Sequence, residues 1–173
     1  MGMTLIVLNA IQSFSMSWLN TKVPLYSGLI ARKEYEHLDE IFNKTLRQMV
    51  SICFALLVCF ILVVLSLRTT QLQINGQVFA DRFLDFWPMI LMVIPVFLMQ
   101  FTGSWATYLR CHKQEPFLVN SIVNGSLCML STLVFGKFFG LYGVTIGYCA
   151  IQIILFPWGY YIFNSHKNEW HGK

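Results

Sequence analysis

The sequence predicts an all-α integral membrane protein with about five transmembrane helices. Three observations carry that expectation. Hydrophobic residues make up 56% of the 173 residues and charged residues only 12%, about half the ~25% that soluble domains carry. Apolar runs approach or exceed the ~20 residues that a helix needs to cross the ~30 Å hydrocarbon core. Short polar runs separate them, and in lipid only helices or closed barrels pair every backbone amide and carbonyl. The chain, 1–173, reads as a single membrane domain.

The first expected span covers about 3–25. Asn9, Gln12, Ser13, Ser17, Asn20 and Thr21 recur along it at the three-to-four spacing of one helical face. A polar face at membrane depth turns to protein or to water, so helix packing and a hydrated cavity both account for it. After Pro24 an amphipathic linker, 31–47, mixes acids and bases, as a solvated connector at the cytoplasmic interface does, and continues in helical character into the second span. The second span, 49–67, is apolar on all sides. A loop with the turn pair Asn75-Gly76 follows. The third span, 84–108, contains Pro88 and Pro95, and two prolines suggest a bent helix. The fourth, 117–135, starts just after Pro116, and Asn120, Asn124 and Ser131 share a face there. The fifth, 144–163, places Thr145, Tyr148 and Gln152 on one face. Gly136, Gly140, Gly143 and Gly147 cluster around the intervening turn, as expected of a close helical hairpin.

Lys and Arg concentrate in cytoplasmic loops. With five spans, one side holds Arg32, Lys33, Lys44, Arg47, Arg110, Lys113, Lys167 and Lys173, and the other Arg68, Arg82 and Lys137. Eight against three places the 31–47 linker, the 110–113 turn and the C-terminus in the cytoplasm. The N-terminus then lies outside, which a chain lacking its upstream part would explain. The opening MGMTLIVLNA has neither the positive n-region nor the cleavage site of a signal peptide, and Ile6 stands where a myristoylation motif has Ser or Thr.

Catalytic and metal chemistry is not expected. All eight acidic residues lie outside the cores of the expected spans, and a proton or sodium relay commonly uses an intramembrane carboxylate. Cys111-His112 is too short for zinc, which takes three or four protein ligands. The five cysteines show no CxxC spacing and read as small buried hydrophobes. No nucleophile elbow or phosphate-cradling glycine loop is present. A carrier is expected rather than an enzyme, with no cofactor and no nucleic-acid partner.

Three stretches carry a family likeness: PLYSGLIARKEYEHLDEIFNKTL from Pro24, YLRCHKQEP from Tyr108 and FGLYGVTIGY from Phe139. Together they resemble the polysaccharide (O-antigen/capsule) flippase branch of the multidrug/oligosaccharidyl-lipid/polysaccharide (MOP) exporter superfamily, related to MATE exporters. The matching features are a proline-ended span before a charged linker, a turn of the form Arg110-x-His112-Lys113-x-Glu115-Pro116, and Gly140-x-x-Gly143. The resemblance implies that the chain corresponds to most of the C-terminal six-helix lobe of a MATE-like flippase. It implies a carrier in the bacterial inner membrane, translocating lipid-linked oligosaccharide by alternating access from a central, often cationic cavity. Partners would be membrane lipids and the missing N-terminal lobe or another transporter subunit. Periodicity then offers Asn9, Gln12, Asn20, Lys22, Gln100, Asn124 and Gln152 as substrate-path candidates. Arg32, Lys33, Arg110 and Lys113 are basic candidates for the cytoplasmic mouth, facing an anionic pyrophosphate. Packing, snorkelling and positive-inside sorting explain each of these residues equally well. A MATE-like small-molecule or drug exporter fragment and a non-transporting membrane partner of a full-length carrier are the alternatives.

Overall fold

The computed structural model describes residues 2–70, 73–74, 77–78 and 83–171. The Asn75-Gly76 turn, Arg82 and Lys173 lie outside the described residues. Helices α1 (Gly2–Asn20), α2 (Val23–Arg32), α3 (Tyr35–Thr70), α4 (Phe86–Cys111) and α5 (Phe117–His171) make up almost all of the rest. Between α3 and α4, β1 (Gln73–Ile74) and β2 (Gln77–Val78) pair antiparallel, Gln73 opposite Val78. Among the described residues four helices are long and apolar enough to cross a membrane: Gly2–Arg32 taken through the α1–α2 break, α3, α4, and α5 to Trp170.

The last of these is two passages. A straight helix of 55 residues would run about 80 Å, more than twice the ~30 Å hydrocarbon core. Gly140 breaks it with φ 60° and ψ −138°, a conformation open essentially to glycine alone. The arms 117–139 and 141–171 then fold back on each other. A Cβ on Gly143 would lie 2.3 Å from the Phe135 carbonyl oxygen. One on Gly147 would lie 2.1 Å from Ser131 Oγ. Hydrogen at these two positions lets the arms meet. Counted by arms, the helical passages among the described residues number five.

The 31–47 segment runs on helically into the second span, in keeping with its sequence character, and one of its faces is packed. α2 ends at Arg32, Lys33 takes a left-handed cap (φ 60°), and from Tyr35 the chain is already α3. That helix would extend about 54 Å, well beyond a bilayer core, so its first turns lie outside the apolar stretch. They are nonetheless packed, with Leu38, Phe42 and Thr45 buried. Asp39 holds this extension to the rest of the bundle: Lys167 Nζ approaches Asp39 Oδ2 at 2.9 Å, and Tyr108 Oη donates to Asp39 Oδ1 at 2.6 Å.

α4 holds both prolines of the expected bent helix, at different places along it. Pro88 sits in its first turn, where the amide has no helical acceptor to lose, so only Pro95 interrupts the interior. Two apolar clusters fill the bundle. One, at the end carrying α2, gathers Leu19, Tyr26, Phe42, Met49, Trp105, Tyr108 and Phe163, with the Trp105 and Phe163 rings stacked at 5.6 Å. The other joins Leu8, Cys53, Leu57, Val64, Met89 and Val96. The outer surface is apolar as well: Ile6, Phe54, Leu62, Ile122, Leu133 and Ile154 are all more than half exposed.

Candidate functional site

α1 presents three faces to its surroundings. Thr4, Leu8, Ile11, Ser15 and Leu19 are buried against the bundle. Trp18 lies on one flank and donates from Nε1 to Gln48 of α3 at 3.3 Å; by the 3.6-residue repeat Phe14 shares that flank. Met16 lies on the opposite flank, against Gly103 of α4, where a Cβ would come 3.1 Å from its Cε. The same repeat places Asn9, Gln12, Ser13 and Asn20 on Met16's side, with Ile6 beside Ser13, and Ser17 on the outer face between the two flanks. Asn9, Ser13, Ser17 and Asn20 are exposed and Gln12 is half-buried. The polar face expected from periodicity is therefore real, and it is not used for packing inside this bundle. An amide moved into hydrocarbon without a partner costs about 4–8 kcal/mol, so in a bilayer this flank would require water or another protein surface.

At one end the flank opens into a cleft of about 600 Å³ between the α1–α2 elbow and the end of α4. Asn20, Val23, Ser27, Ile30 and Ala31 form one wall, and Thr107, Arg110, Cys111, His112 and Lys113 the other. The elbow exists because the helix breaks at Thr21–Lys22: Lys22 N–H donates to the Leu19 carbonyl, and Tyr26 N–H restarts the α-helical pattern on Lys22. Thr107 donates to the Gly103 carbonyl at 2.9 Å. Arg110 is exposed, its Nε 3.6 Å from Glu115 Oε1. His112 stacks on Trp170 at 4.4 Å and 21°, which ties the 110–113 turn to the end of α5. Lys113 is a left-handed residue, φ 61°, and its amide donates to the Arg110 carbonyl. Lys33 and Lys113 thus both close helix C-termini, where a positive charge also favours the helix dipole.

The sequence candidates separate into three groups. Asn20, Arg110 and Lys113 come together in the cleft, and Asn9 and Gln12 extend from it along α1; Lys22 stands at the elbow. Arg32 and Lys33 follow Ala31 at the exposed end of α2. The remaining three are interior. Gln100 is fully buried on α4, and neither of its amide atoms has a hydrogen-bond partner among the described residues. Gln152 Nε2 donates to Asn124 Oδ1 at 3.0 Å between the arms of α5. Thr107 and Ser27 were missed as cleft residues. Thr107 carries a signal, three residues before Arg110 on one helical face, whereas the elbow interrupts the repeat that would link Ser27 to Asn20.

All five cysteines are free thiols. Among the described residues no three His, Cys, Asp or Glu side chains are grouped so as to hold a metal ion. The cleft offers hydrogen-bond donors, two cations and an aromatic-backed imidazole, a set that suits reversible binding of an anionic or polyhydroxylated group. Comparison with protein-family models, with curated proteins and with solved structures finds no match to this chain.

Proposed function

We propose that this chain forms part of one lobe of a membrane carrier, with the polar flank of α1 facing a hydrated passage shared with a second lobe. The observation that carries this reading is the exposed row Asn9, Ser13 and Asn20 leading into a cleft that also holds Arg110 and Lys113. From Asn20 to Asn9 the row rises about 16 Å, roughly half the hydrocarbon core. A lipid-facing helix would not expose such residues, and a helix packed within its own bundle would bury them. The second lobe belongs either to the same polypeptide or to another subunit.

The substrate class rests on the resemblance of the linker, turn and hairpin stretches to polysaccharide flippases. On that reading the carrier translocates lipid-linked oligosaccharide across the bacterial inner membrane by alternating access, with the cleft on the cytoplasmic side. Arg110 and Lys113 would meet the pyrophosphate, and the amide and hydroxyl row of α1 the sugars. Proteoliposomes containing the chain together with its second lobe test this. Fluorescent lipid-linked oligosaccharide should cross, and Arg110→Gln with Lys113→Gln should slow it. Movement of a cationic dye but not of the oligosaccharide would instead support a drug exporter of the same superfamily. Movement of neither would leave a non-transporting membrane partner.

A further inference from the structure

We infer that the α5 hairpin carries a binding site for an anionic glycerophospholipid, with a hydrocarbon chain in its outer groove and the phosphate at Lys137. The inference depends on the chain spanning a bilayer and is independent of what it transports. The two arms of α5, joined at Gly140, leave an open groove of about 690 Å³ along the hairpin, lined among others by Leu130, Val134, Phe139, Ile146, Ala150 and Ile154.

The groove lies on the side of the hairpin away from the bundle. The second arm meets α4 through Tyr148, whose hydroxyl reaches Met99 Sδ at 3.2 Å, and through Phe156, whose ring packs on Phe101. Ile146 and Ile154 point elsewhere and are 53% and 70% exposed. The small residues Gly143 and Gly147 are already covered by Phe135 and Ser131 of the first arm. They serve the hairpin itself and do not mark a face for a second copy.

Length and charge identify the occupant. From Phe139 back to Leu127 the groove runs about 18 Å, comparable with the ~15 Å depth of one leaflet. Phe138, Phe139 and Tyr142 are exposed at the hairpin tip, as aromatic residues are at the membrane–water boundary. Lys137 stands among them. No ion pair of Lys137 occurs among the described residues, and α5 has no acidic residue before Glu169. A lysine at headgroup level close to a leaflet-deep apolar groove complements a phosphodiester whose single negative charge is not balanced by a choline ammonium.

The test uses the full chain, purified in detergent and stripped of lipid, then exposed to equal amounts of dioleoyl-phosphatidylglycerol and dioleoyl-phosphatidylcholine. Native mass spectrometry counts the retained lipids. Phosphatidylglycerol should be preferred about fivefold, and Lys137→Gln should remove the preference. Ala150→Trp, or Ile154→Trp at the exposed rim should the first variant lose its helical circular dichroism, should reduce retention of both lipids. Equal retention by the native chain, or a preference that survives Lys137→Gln, would overturn the proposal. So would full retention in the folded tryptophan variants. Displacement of phosphatidylglycerol by an equal amount of polyprenyl phosphate would also overturn it, by giving the groove to a different lipid.

Discussion

Gln152 Nε2 and Asn124 Oδ1 lie 3.0 Å apart and join the two arms of α5. Cys128 Sγ approaches the same oxygen at 3.5 Å, so Asn124 is the acceptor on which this part of the hairpin converges. Polar pairs between membrane helices contribute about 0.6–2 kcal/mol each. Gln152→Leu is expected to lower the unfolding free energy by that amount. Combining it with Asn124→Leu should cost less than the two single changes added together. Steric trapping in bicelles measures this. Strict additivity would show that the pair is not coupled.

Gly143 and Gly147 give contrasting expectations. A methyl at Gly143 meets backbone, the Phe135 carbonyl, which cannot move without shifting the first arm. A methyl at Gly147 meets the end of a side chain, Ser131 Oγ. Gly143→Ala should therefore cost about 1–3 kcal/mol, the range for overpacking, whatever stands at position 131. Gly147→Ala should cost less and be largely relieved by Ser131→Ala. Thermal denaturation of the four variants in detergent decides the matter, and relief of Gly143→Ala by Ser131→Ala would contradict this hairpin geometry.

Lys113 separates stability from function. Its left-handed backbone costs a non-glycine residue of order 1 kcal/mol, while its charge at the α4 C-terminus returns about 0.3–1 kcal/mol. Lys113→Gly should leave the protein as stable or up to about 1 kcal/mol more stable. If Lys113 also meets the anionic substrate, transport should fall in that same variant. Unchanged transport would reduce the residue to a helix cap.

Much of the fold was legible because its signals are local. Apolar length marked the helical passages, and the glycines around position 140 marked the hairpin, since only glycine tolerates that backbone angle. The polar face of α1 was legible too, as a 3.6-residue repeat. What periodicity does not contain is the direction in which a face points. Gln100 and Asn9 looked equivalent as polar residues in apolar helices, yet one is sealed in the bundle and the other lies open. That difference is made by neighbouring helices far away in sequence. The α1–α2 break was hidden for a related reason: Thr21–Lys22 carries no glycine, and Pro24 sits after the break, in the first turn of α2. The 31–47 segment was legible as a helix continuing into the second span, but its mixed charges hid the packed face. Leu38 and Phe42 are buried on that face.

The proposed carrier requires the Asn9–Ser13–Asn20 flank of α1 to face a hydrated passage in the membrane. Single cysteines at Asn9, Ser13, Asn20 and, as lipid-facing controls on α3, Phe54 and Leu62, in a background without the five native cysteines, test it directly. Labelling by a small charged methanethiosulfonate reagent in intact membranes that also contain the second lobe should be fast at Asn9, Ser13 and Asn20. It should be at least about tenfold slower at Phe54 and Leu62, because a charged reagent is excluded from hydrocarbon. Equal protection at all five positions would contradict the account.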